Sequence, residues 1–156
     1  MSYRVTGLDP EPFRPLFGLP DDELAARGVK RFIVNAKPGF PDRVELRDAE
    51  CGERVLLLNH VHQPADTPYR ASHAIFVVEG ASRRFDAVDV VPQVLRVRPI
   101  SLRAFDTSHQ MIDADLIDGS KLEGSIERLL ANSATAYLQA HYAKRGCYAA
   151  RVERVT

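Results

Sequence analysis

Residues 138–152 read Leu-Gln-Ala-His-Tyr-Ala-Lys-Arg-Gly-Cys-Tyr-Ala-Ala-Arg-Val. Lys144-Arg145-Gly146 forms a three-residue loop, with glycine where a hairpin favours positive φ. Opposing Leu138 with Val152, Ala140 with Ala150 and Tyr142 with Tyr148 makes one apolar face. The other face then pairs Gln139 with Arg151 and His141 with Ala149, and sets Ala143 against Cys147. A slip of one residue would turn every side chain to the wrong side, so the pattern fixes an antiparallel ribbon.

A second ribbon precedes it. The turn Asp106 to Gln110 joins Ile100–Phe105 to Met111–Leu116, and pairing Ala104 with Ile112, Leu102 with Ala114 and Ile100 with Leu116 gathers the apolar residues. That register also places Arg103 opposite Asp113 as a structural ion pair, and Ser101 opposite Asp115. Further β-favouring runs lie at Arg31–Asn35, Arg43–Arg47, Arg54–His60, Ala74–Glu79 and Arg96–Phe105. Val55-Leu56-Leu57-Leu58 lacks polar alternation, which predicts a central strand buried on both faces. Helices are predicted at 21–27, ending at Gly28, and at 121–131, where Ser120 and Glu123 form a capping-box pattern ahead of Leu122, Ile126, Leu129 and Leu130. The proline-rich segment 8–20 is anchored by Phe13, Leu16 and Phe17. Runs of strands without strict strand–helix alternation indicate an α+β fold, a mainly antiparallel sheet of about seven to nine strands with two helices packed on it, in one domain spanning 1–156.

Lys plus Arg number 21 and Asp plus Glu number 21 among 156 residues. A zero formal charge, evenly mixed, argues against nucleic acid and against an anionic membrane surface as partners. No apolar run approaches a membrane span of about 20 residues, and the N-terminus carries no signal core, so a cytoplasmic location is expected. Cys51 and Cys147 stand in no metal-binding spacing. Nucleotide-binding, serine-hydrolase, zincin and EF-hand motifs are absent, and no cofactor is expected.

With these residues in view, the chain resembles a bacterial family known as domain of unknown function family 1203. The resemblance rests on GFPDR at 39–43, LRDAECGERVLLLNHVH at 46–62, TPYRASHAIFV at 67–77, SLRAFD at 101–106 and AHYAKRGCYAARVERV at 140–155. It implies a small bacterial protein, with no activity or catalytic residue to carry over. The chain departs from the family's pattern at Asp42, where a cysteine is common, and at His73-Ala74, where Gly-Pro is common. A mechanism that needs thiols at both 42 and 147 is not open to it.

Four constellations could carry chemistry. The hairpin register makes His141 and Cys147 diagonal neighbours on one face, about 7–8 Å apart, where an imidazole can activate a thiol; the plainer alternative is a small buried hydrophobe. His60 and His62 point the same way along a strand and begin a metal site, but no third ligand is indicated, so no metal is expected. The loop Gln63 to Ser72 is long for a connection and carries Tyr69 as a flat wall and Arg70 as a clamp for a carboxylate or phosphate. Asp113 and Asp115 resemble paired catalytic carboxylates, but Arg103 neutralises the first in the expected register. Two readings stay open: a small-molecule-binding protein or enzyme whose pocket draws on His60, His62, Tyr69, Arg70, His141 and Cys147, or a non-catalytic module that forms a homodimer or partner interface.

Overall fold

The computed structural model describes residues 1–156 and is an α+β arrangement of nine strands. The strands are β1 (Tyr3–Thr6), β2 (Lys30–Ile33), β3 (Arg54–Gln63), β4 (Ala71–Val78), β5 (Asp86–Val88), β6 (Pro99–Phe105), β7 (Met111–Asp118), β8 (Tyr137–Tyr142) and β9 (Cys147–Arg154). All strand pairs are antiparallel, as expected. The strands divide into a six-stranded sheet ordered β5-β1-β9-β8-β6-β7 and a three-stranded sheet ordered β2-β3-β4. Val55, Leu56 and Leu58 are buried, so β3 is the spine expected of it, but of the smaller sheet.

Helix α1 (Asp21–Ala26) closes at Gly28 in the left-handed region, where glycine has no Cβ penalty. A single turn, α2 (Gln93–Arg96), precedes β6. Helix α3 (Leu122–Ala131) buries Leu122, Ile126, Leu129 and Leu130 on Val5, Ile100, Leu102, Leu138, Ala140 and Val152 of the large sheet, the apolar stripe read from its periodicity. Its start differs from the expected capping box: the Asp118 side chain accepts from the Ser120 backbone N–H, capping a short 3₁₀ turn ahead of the helix. A second core under the small sheet joins Val55, Leu56, Ile75 and Val77 to Phe13, Leu24, Val29 and Val44, with Leu16 and Phe17 packed at its margin.

Both hairpin registers are corrected by bulges. Between β6 and β7 the ladder shifts next to Phe105, so Ala104 faces Asp113, Leu102 faces Asp115 and Arg103 faces Ala114. The Arg103–Asp113 ion pair therefore does not form. Asp113 and Asp115 turn toward α3, where Arg128 lies 3.3 Å from each, and Ser125 donates to Asp115 at 2.8 Å. Between β8 and β9 the expected pairs hold from Leu138–Val152 to Ala140–Ala150, after which a bulge sets His141 opposite Tyr148 and Tyr142 opposite Cys147. The extra residue sends Cys147 to the Tyr142 side, away from His141.

The segment expected as a strand at Arg43–Arg47 is instead the joint between the sheets. Asp42 bridges Phe76 of β4 in parallel fashion, while the Arg43 carbonyl accepts from Leu8 N and the Val44 carbonyl from Phe85 N. The Asp42 carboxylate accepts from the backbone N–H groups of Val44, Glu45 and Val78. Arg43, 1% exposed, donates to the carbonyls of Pro41 and Tyr148 and to Cys147 Sγ at 3.0 Å.

Candidate functional site

The large sheet has α3 on one face. On the other, alternation along β6, β8 and β9 presents a polar set, and the end of β3 covers part of it. Arg103, Gln139 and Arg151 occupy one row across these three strands, each the register partner of the next. The following row holds Ser101, His141 and Tyr148.

His62 reaches this face from a bulge in β3 between Val61 and Gln63. Its Nδ1 donates to Gln139 Oε1 at 3.0 Å, and Gln139 Nε2 donates back to the His62 carbonyl at 2.9 Å. That reciprocal pair fixes the amide, leaving the same Oε1 3.0 Å from His141 Nε2. His141 Nδ1 lies 3.0 Å from the Gly146 carbonyl. The His62 ring stacks on Tyr148 at 5.8 Å and meets His141 edge-on at 4.8 Å. His60, one strand pitch away, packs between Tyr148 and Phe13.

Burial disfavours the charged form of all three rings. It pushes His141 down to about 3, helped by the Arg103 guanidinium, and lowers His60 and His62 from the usual imidazole value. The permanent charges acting on these rings are guanidinium groups, Arg103 for His62 and His141 and Arg43 for His60. Arg103 is itself pushed below the ordinary guanidinium value by burial alone, and its one side-chain partner is Ser101 Oγ at 3.4 Å.

Beside this cluster opens a cleft of about 270 Å³ lined by His62, Gln63, Pro64, Ala65, His109, Tyr137, Gln139 and Arg151. Tyr137 is buried at its wall. Gln63 Nε2 donates to the Tyr137 hydroxyl at 2.9 Å, which leaves the phenolic proton for His109 Nδ1 at 2.7 Å. His109 stands at φ +61°, a left-handed conformation that histidine adopts more readily than most residues other than glycine, in a turn whose amides at Ser108 and Gln110 bind the Asp106 carboxylate. The Arg151 guanidinium lies 4.0 Å over the Tyr137 ring, and Phe105 stacks on that ring at 5.3 Å. The arrangement can hold a small ligand against a row of donors and pass a proton between the cleft and His109.

Of the residues singled out from sequence, the fold gathers His60, His62 and His141. Tyr69 is exposed and touches Phe105 edge-on at 6.3 Å, on the flank. Arg70 is turned back on its own loop, donating to the Pro64 carbonyl. Cys147 lies on the far side of the sheet against Arg43. Gln63, His109, Tyr137, Gln139 and Arg151 complete the cleft. For Gln139 and Arg151 the alternation that put His141 on the polar face was a usable signal; for the other three no local pattern existed. A wider, open depression of about 420 Å³ lies at Phe17, Gly18, Glu53, Arg54, Val78, Glu79 and Gly80, where Glu53 and Glu79 are already paired with Arg47 and Arg31. No group of three or more metal-ligating side chains is present. No helix is long and apolar enough to cross a membrane.

A family model described as "Protein of unknown function (DUF1203)" matches residues 39–154. No curated protein and no solved structure matches the chain.

Proposed function

The chain belongs to the DUF1203 family, whose model covers both β3–β4 and the β8–β9 ribbon, and on that premise we propose that it binds a small ligand where those two elements meet. The observation that carries this reading is convergence: side chains from β3, β8, β9 and the β6–β7 turn close on one cleft of about 270 Å³, just under the usual range of ligand pockets. Donors and acceptors there are held by one another, as binding groups need to be. The hydrogen-bonded Tyr137–His109 pair gives the same cleft a route for a proton, so binding and acid–base chemistry share one wall.

Titration of ¹⁵N-labelled protein with a library of small polar compounds tests the proposal. At least one compound shifts the Gln139 side-chain amide and the His62 resonances saturably, and the response is lost in Gln139→Leu while the fold is retained. A library that binds only elsewhere, or nowhere, overturns it.

A second reading has its own support. Strand β7 forms one edge of the large sheet and leaves Leu116 71% and Ile112 38% exposed, which suits edge-to-edge association of two copies. Sedimentation tests it: a dimer converted to monomer by Leu116→Lys favours this reading, and a monomeric wild type removes it.

A further inference from the structure

We propose, resting on the ligand-binding reading above, that the cleft takes a small oxyanion, a carboxylate or phosphate held between Arg103 and Arg151 across Gln139. The two arginines flank Gln139 in one cross-strand row, so each backbone position is fixed by a sheet ladder. Directly opposed residues on antiparallel strands sit about 4.5–5.5 Å apart, so Arg103, one strand beyond the lining residue Gln139, stands two such steps, about 9–11 Å, from Arg151, a gap that two long side chains can close around one ligand.

Neither guanidinium is fully used by the protein. Arg103 is partly buried, and its single side-chain contact is Ser101 Oγ. Arg151 donates Nε to Glu153, and its two terminal nitrogens meet no protein acceptor; the Tyr137 ring beneath fixes the plane of the fork. Withdrawing a guanidinium from water without a partner is costly, and a bidentate oxyanion offsets that cost with two charge-assisted hydrogen bonds.

The lining contains no carboxylate to oppose such a ligand. Of the acids nearest in sequence to the lining residues, Glu153 is held by Arg151, Asp106 is bound to turn amides, and Asp66 is solvent-exposed on the loop after Ala65. The permanent charge acting on both His62 and His141 is the Arg103 guanidinium, so the surroundings are electropositive although the chain as a whole is neutral.

The test titrates inorganic phosphate, acetate, neutral acetamide and methylammonium into wild-type protein and follows the Arg Nε–H and Gln139 side-chain resonances. Phosphate or acetate is expected to shift them saturably, while acetamide and methylammonium do not; which anion binds more tightly separates the two headgroups. Arg103→Met and Arg151→Met should each weaken binding at least about tenfold, the loss of one charge-assisted hydrogen bond. The Arg Nε–H shifts of the wild type keep the test decisive where a variant fails to fold. Anion binding that leaves these resonances unmoved, or no anion binding, overturns the inference. Acetamide or methylammonium binding in the cleft without the anions overturns it too, yet leaves the ligand-binding proposal standing. That proposal falls only if the wider library finds no ligand there.

Discussion

Two oxygens flank the His141 ring, the Gly146 carbonyl at Nδ1 and Gln139 Oε1 at Nε2, and a neutral imidazole has one N–H to give. Burial nevertheless holds the ring neutral, pushing it down to about 3. The unfolded chain, whose histidine titrates near the ordinary value of about 6.5, therefore takes up the proton first as pH falls. Stability from this group is complete above that value and is lost between it and about 3, at up to about 1.4 kcal/mol per pH unit. Urea unfolding at pH 6.5 and 5.0 should show the loss, and His141→Gln should flatten it. His60 and His62, which burial lowers, act in the same sense and Asp42, which burial raises, in the opposite one, but all three are common to both proteins. Parallel pH profiles for the two would contradict this account. Arg43 makes a second residue-scale case, since it joins the loop of Pro41 to Tyr148 and Cys147 while fully enclosed. Arg43→Met should destabilise by about 3 kcal/mol or more in denaturant melts, because two carbonyls lose their donor in a dry site. Arg43→Lys should recover only part of it, a single ammonium being unable to span three acceptors. Neither residue's role was visible in the sequence. Alternation puts His141 on the polar face, but its burial there and its two acceptors depend on β3 covering that face and on Gln139 being locked by His62, 77 residues away.

Strands and helices were more legible than their joints. The runs at 74–79 and 100–105, the C-terminal ribbon and the stripe of α3 follow from hydrophobic period, and the run at 54–60 from its unbroken apolar stretch, which is buried on both faces. Both bulges escaped notice, since one extra residue costs little in a pattern of alternating Ala and Tyr, or in β7, where Asp113 and Asp115 find Arg128 and Ser125 on the core-facing side. Segment 43–47 has a strand's composition, yet it forms the inter-sheet joint because Asp42 ties down three amides around it. Close backbone approaches at such joints give a sharp prediction. A Cβ on Gly119 would stand 1.9 Å from the Leu95 carbonyl, and one on Gly7 would stand 2.1 Å from that of Val44. Gly119→Ala should prise α2 from the start of α3, and Gly7→Ala should prise β1 from the joint. Each should cost roughly 1–3 kcal/mol or more in denaturant melts, whereas Gly124→Ala, with nothing near its Cβ, should be neutral or stabilising. Equal stability of all three variants would refute the assignment.

At the scale of the molecule, two apolar cores, one under each sheet, meet through Arg43, the Asp42 turn and the histidine–glutamine face. That seam is polar, so the sheets should open separately: under native conditions with rising denaturant, amides of β2–β4 should exchange on a different isotherm from those of β6, β8 and β9. One shared isotherm would show a single cooperative unit. The division into two sheets could not be read from strand patterns, which report which face is buried but not what covers it. The order β5-β1-β9-β8-β6-β7 has a further consequence in time. The small sheet spans residues 30–78 and can assemble while the rest is being made, but β9 alone joins the β5–β1 pair to β8–β6–β7. A nascent chain that stops short of Cys147 holds the large sheet as two unconnected halves, with the facing edges of β1 and β8 unpaired and open to whatever chaperones or neighbouring chains are nearby. The arrival of β9 is what ends this exposure.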